Sequence, residues 1–262
     1  MKQRRFPSFL KLSLLLFLLL WGHSANAEMI YTDTDSNKSE GAKEAVLESD
    51  GTVNFANQKW DVIKGPDQMG TDNYLIAMQT SIETSIFSNS YYFVNNDLTL
   101  DGYRASVVKL VIDNWYNKNI FGTDFERYVQ PVIINNPILE DMMKPEFGGW
   151  ISNLEGGSIP GFLATNQPEA FPTVVGGSKK QAFLMSGSDV SNGQGSYGDL
   201  TKNALVHNEN LYANGVLYSW LRSPGFYYFT AACLRYNATY IGSYYVNIDI
   251  GVVPSLIVRI QS

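Results

Sequence analysis

From residue 182 onward the chain is broken into short β-rich runs, and this constrains its fold more than any other feature. The runs cover residues 182–185, 216–221, 231–235, 244–248 and 254–260. Gly187, Gly193, Gly195, Gly198, the neighbours Pro224 and Gly225, and Gly242 punctuate them. Runs of this length bounded by glycine and proline predict strands. Two more strand-like runs stand earlier, at residues 59–64 and 74–78, separated by the turn-forming Gly65, Pro66 and Asp67. Between these groups Tyr103, Val107, Leu110, Val111 and Trp115 recur at the spacing of one helical face. Thr123 to Glu126 has the form of a capping box and predicts a short second helix, ended by Pro131. Strands, two helices, then strands again predict one α+β domain, with the helices packed on antiparallel strands.

The remaining segments are read by composition. Residues 1–27 have the pattern of a secretory signal: Lys2, Arg4, Arg5 and Lys11, then an apolar stretch over residues 12–21, then Ala25, Asn26 and Ala27 as a cleavage site. The expected product is secreted or held at the cell surface, without a transmembrane anchor, because a stretch of ten residues, nine of them apolar, is too short for a span of ~20. Removing 4 basic residues from 19 leaves 15 against 25 acidic ones, a formal charge of −10. That balance speaks against nucleic acid as a partner. Residues 28–57 are polar and predict a flexible leader, with a possible edge strand at 51–55. The main domain is then expected over residues 58–262. Inside it, residues 136–178 hold five of the ten prolines and seven glycines, and predict a long irregular loop or insertion.

Three ordered blocks resemble a known family. They are residues 183–190 (FLMSGSDV), 218–225 (YSWLRSPG) and 251–258 (GVVPSLIV). They are similar to the "FLLS..E", "WLRSPG" and "GVRPAL" blocks of the bacterial DUF6273 domain family. Val253 stands where that family has Arg, and Ser255 where it has Ala. The resemblance implies a C-type-lectin-like domain, akin also to formylglycine-generating-enzyme-like domains. The same blocks have a plain physical reading. Ser223, Pro224 and Gly225 suit a turn, with glycine supplying positive φ. Trp220 suits a core anchor, and Arg222 a fork able to bond carbonyls or a carboxylate. Gly251 and Pro254 bracket the entry to a final strand.

Catalytic chemistry finds little purchase. A chain starting at Glu28 has one histidine, His207, expected at the surface, and one cysteine, Cys233, expected to be a buried apolar residue. Neither stands in a nucleophile context, and one cysteine does not supply the thiol pair of a formylglycine-generating site. Carboxylates for a glycan hydrolase exist at Glu140, Asp141, Glu155, Glu169, Asp189, Asp199 and Glu209, but nothing selects a pair. No cofactor is expected. Asp199, Asn208 and Glu209 lie in a stretch expected to be a loop and are the candidate calcium ligands. The clearest signal for binding is aromatic. Eleven aromatic residues fall between Tyr212 and Tyr245, and strand alternation leaves only about half of them facing inward. Tyr227, Tyr228, Tyr240 and Tyr244, near predicted turns, are the candidate ligand contacts. The expected function is a binding module for a surface glycan or protein, with a carboxylate hydrolase and a structural part of a surface assembly as alternatives.

Overall fold

The computed structural model describes residues 44–89, 102–134, 172–191, 200–225, 229–239 and 241–260. It is a mixed α+β architecture of two five-stranded sheets, a two-stranded sheet and four helices. The first sheet contains β1 (Val46–Leu47), β2 (Thr52–Phe55), β3 (Gln58–Lys64), β4 (Asn73–Met78) and the last strand, β12 (Ser255–Arg259), in that spatial order and antiparallel throughout. Ala56 and Asn57, both at positive φ (51° and 59°), join β2 to β3. Such a two-residue turn matches the right-handed twist of the strands it connects.

The second sheet runs β10 (Ile241–Tyr245), β9 (Thr230–Arg235), β8 (Tyr218–Pro224), β11 (Ile250–Val252) and β5 (Glu83–Ser85). Only the β8 to β11 pairing is parallel. β9 is buried on both faces, which explains its run of Ala231, Ala232, Cys233 and Leu234. The third sheet pairs β6 (Pro131–Ile134) with β7 (Thr173–Lys180). A bridge from Val129 to Val258 ties the segment before β6 to the edge of β12.

The helices are α1 (Pro66–Met69), α2 (Val107–Asn119), α3 (Gly187–Val190) and α4 (Lys202–Ala213). In α2, Ser106 caps the start by accepting from Lys109 N, and Val108, Ile112 and Tyr116 bury one face. This is one residue on from the expected stripe, of which Leu110 is exposed and Val107, Val111 and Trp115 are half-buried at its border. One buried cluster unites the sheets and includes Trp220, Leu221, Phe183, Leu184 and Leu256, so all three family-like blocks contribute to it and Trp220 is the core anchor expected. Trp220 packs edge-to-face on Phe87 at 5.3 Å, and its indole N–H donates to Ser85 O at 2.8 Å.

Several expectations change. Residues 44–57, assigned to a flexible leader, carry β1 and β2, with Val53 and Phe55 fully buried against the core. β2 matches the possible strand at 51–55, but as an interior strand, because β1 forms the edge beyond it; β1 is only two residues long and shows no alternation. The second helix is a single 3-10 turn, Asp124–Arg127. Thr123 Oγ1 accepts from Phe125 N at 3.3 Å, and Glu126 reaches back to Gly122 N at 2.9 Å, one residue beyond its expected partner. The end of the expected long loop, from Thr173, is strand β7. Residues 182–185 make only a bridge from Phe183 to Ser255. The signal segment, residues 28–43 and residues 135–171 lie outside the described residues.

Candidate functional site

Two of the three family-like blocks meet at a buried ion pair. Ser186 caps α3 and forms a full capping box with Asp189. That aims the Asp189 carboxylate inward, where Thr173 N reaches Oδ1 while Thr173 Oγ1 and Ser186 N reach Oδ2, all at 2.8 Å. Arg222 Nη1 donates to Asp189 Oδ2 and to Leu184 O, each at 2.7 Å. Both side chains are 1% exposed. Burial would push the Asp189 carboxyl up, yet the charges of Arg222 and Lys64 and the N–H bonds hold it below the usual carboxylate range. Gly187 N donates to Ser223 Oγ and Leu184 N to Tyr103 OH, so the blocks are knitted on all sides. A saturated pair without solvent contact is scaffold: it fixes β8 and offers nothing to a ligand.

The glycines of the blocks serve close approach. Gly225 does not have the positive φ that the turn reading required. A Cβ there would lie 2.2 Å from Ser243 Oγ and 2.3 Å from Thr230 Oγ1. Pro224 ends β8 instead of leading a turn. At Gly251 a Cβ would sit 2.6 Å from Val216, because β11 runs directly beside β8. Pro254 immediately precedes β12, as the entry reading required.

The stretch expected to be a calcium-bearing loop is helix α4, capped by Thr201. Asn208 is buried and donates to Arg235 O (2.6 Å) and Ala238 O (3.3 Å), whereas Glu209 is exposed. Successive helical residues point about 100° apart, so these two do not converge. Asp199 lies outside the described residues. Among the described residues no group of three His, Cys, Asp or Glu side chains is placed to hold a metal.

His207 is not at the surface. It is wholly buried on α4, with Nδ1 3.4 Å from Asp61 Oδ2. Gln79 and Asn210 donate to the same carboxylate at 2.7 Å. Despite burial, these contacts hold the Asp61 carboxyl below its ordinary range. Ala204, His207, Asn208 and Leu211 share the buried face of α4, and because two of these four are polar the helical spacing is not visible as an apolar stripe. Cys233 is buried, and burial pushes its thiol up to about 12. Of the hydrolase candidates, Asp189 is consumed by Arg222 and Glu209 stands alone on the surface; the other five lie outside the described residues.

The aromatic signal resolves into one corner. Tyr244 is half-buried, its ring 5.1 Å from that of Tyr218, and Arg235 lies 5.9 Å over Tyr218. Close by, Tyr212 stacks on Tyr236 with centroids 3.4 Å apart and planes 13° from parallel. Tyr212 is 44% exposed and Leu217 is 50% exposed. Tyr236 N donates to Leu217 O, which joins the stacked pair to the start of β8. Tyr227, Tyr228 and Tyr240 lie outside the described residues. Tyr212 and Tyr236 were not singled out by sequence, since their pairing depends on α4 lying against the end of β9.

No family model matches the chain, and it matches no curated protein and no solved structure. Among the described residues no helix is long and apolar enough to cross a membrane.

Proposed function

We propose that the protein is an exported or cell-surface binding module that recognises a glycan or protein through the aromatic corner formed by α4, β8, β9 and β10. The observation that carries this reading is the parallel stack of exposed Tyr212 on half-buried Tyr236, beside Tyr218, Tyr244 and Arg235. Tyrosine offers a flat apolar face and a hydroxyl at small entropic cost, the combination suited to sugar rings and protein loops. Export rests on the signal pattern of residues 1–27. Kinship with DUF6273 domains, and with it a C-type-lectin-like arrangement, rests on the three sequence blocks and is compatible with the α+β architecture. The buried Asp189 and Arg222 pair gives the corner a rigid support.

The test is an array of neutral and acidic glycans, with a pull-down arm for protein ligands, run on the protein and on a Tyr212→Ala, Tyr236→Ala variant. Binding without turnover of the ligand, lost in a variant that melts normally, supports the reading. Turnover of a bound glycan would favour a hydrolase. Binding unchanged in the variant would remove the corner from the account.

A further inference from the structure

The basic side chains of this acidic protein are not evenly spread. Three adjoining clefts, of about 530, 530 and 540 Å³, run along the two-stranded sheet. The first and second share Asp113, Ser178, Lys179 and Gln181; the first and third share Pro131 and Lys180. They therefore form one trough, bounded by α2 at one end and by Tyr128 and the end of β12 at the other. Six basic residues line it: Arg104, Lys109, Lys179, Lys180, Arg127 and Arg259. Among the described residues, its acidic lining consists of Asp113 and Glu126.

The fold holds these cations together at a cost. Lys109 is largely buried and is bonded to Asp113, one helical turn away. Burial holds its ammonium below the usual lysine range, and the neighbouring charges of Lys179 and Arg104 act in the same direction. Lys180 reaches across to donate to Glu126 O at 2.8 Å. At the far end Arg127 lies 4.8 Å over the Tyr128 ring, beside exposed Arg259, and among the described residues no carboxylate lines that cleft. Neither Lys179 nor Arg259 has a side-chain hydrogen bond or ion pair among the described residues. The trough also presents an aromatic face, Phe121, which is 62% exposed. Cations spaced along a groove match a linear polyanion, and an exposed ring suits a sugar face.

We infer that this trough binds a linear acidic polysaccharide, with Lys179, Lys180, Arg127 and Arg259 pairing its carboxylate or sulfate groups and Phe121 stacking on a sugar ring. Bulk charge opposes such a ligand, so local complementarity carries the contact. The site is separate from the tyrosine corner, and the inference stands without that reading.

The experiment measures binding of the full chain to polygalacturonate, dextran sulfate, neutral dextran and single-stranded poly(dT), across a salt series. The expected result is saturable binding to polygalacturonate or dextran sulfate that weakens roughly tenfold or more between ~50 and ~200 mM salt, as release of counterions from several contacts requires. The preferred polymer identifies the anionic group. A Lys179→Ala, Arg259→Ala variant with an unchanged melting temperature should lose that binding, and Tyr212→Ala, Tyr236→Ala should retain it. Equal affinity for neutral dextran would overturn the inference. So would preference for poly(dT), which would assign the trough to nucleic acid. Binding to none of the four, or binding untouched by the trough variant, would overturn it as well.

Discussion

Arg222 and Arg259 are both arginines near the end of a β-strand, yet they stand in opposite circumstances. Arg222 is 1% exposed, and its Nη1 donates to Asp189 and to Leu184 O. Arg259 is exposed on β12 and lines a cleft that has no carboxylate among the described residues. The contrast extends to their surroundings. Around Arg222 each strong acceptor has a donor, water is excluded, and the chain on both sides is locked by Gly187, Ser223 and Tyr103. Around Arg259 the neighbours are Arg127 and Lys180, so positive charge accumulates without internal relief. The difference separates scaffold from surface available to a ligand. A guanidinium whose partners are all internal serves the fold, and one that the chain leaves among like charges is open to an external anion.

The strongest way to break this contrast is to strip the interior pair. Asp189→Ala leaves Arg222 buried without its counter-charge and frees Thr173 and Ser186 N–H groups. It should destabilise the protein by about 3–5 kcal/mol, read from urea unfolding. A loss under ~1 kcal/mol would mean that water reaches the pair. Next comes the close packing that seats β8. Gly225→Ala pushes a methyl into Ser243 and Thr230 and should cost about 1–3 kcal/mol. Unchanged thermal melting there would show that the end of β8 yields readily.

A pH series sharpens the comparison further. The Asp189 and Asp61 carboxyls are both held below the ordinary 3.8. A depressed folded-state value adds stability that is complete above the unfolded value and is lost as pH falls through the folded one. Stability should therefore decline progressively below about pH 3.8, and Asp189→Asn should flatten that decline. An identical acid profile in the Asn variant would show that other carboxylates govern acid unfolding. The smallest effect is expected in the trough. Arg259→Ala should leave stability within about 0.5 kcal/mol, since its side chain has no internal partner among the described residues.

The sequence showed much of this frame. The α2 helix was legible because its apolar spacing is strong, and β3, β4, β9 and β12 because their apolar runs are bounded by turns. Trp220 and Arg222 were legible as anchors from size and chemistry. What escaped was whatever depends on distant partners. Helix α4 carries Asn203, His207, Asn208 and Asn210; Asn208 bonds to the end of β9 and Asn210 to Asp61 on β3, while His207 is buried beside the same Asp61. Seen alone they resemble a solvated loop. Gly225 suggested a turn because sequence does not reveal that Ser243 and Thr230 press against its Cα. The trough was invisible for a similar reason. Its cations come from the turn before α2, α2 itself, the 3-10 turn, β7 and β12, and are gathered only when β7 pairs with β6 and Val129 bridges to Val258. Net charge, being a sum, gave the opposite impression.

The most direct test sets the two arginines side by side in equilibrium urea unfolding of Arg222→Ala and Arg259→Ala. The account predicts a loss of about 3–5 kcal/mol for Arg222→Ala, by the cost of orphaning a buried partner, and a midpoint for Arg259→Ala that stays with the parent protein. Comparable losses in the two variants would contradict it, because Arg259 would then be part of the scaffold and the trough would owe its charge to the needs of folding.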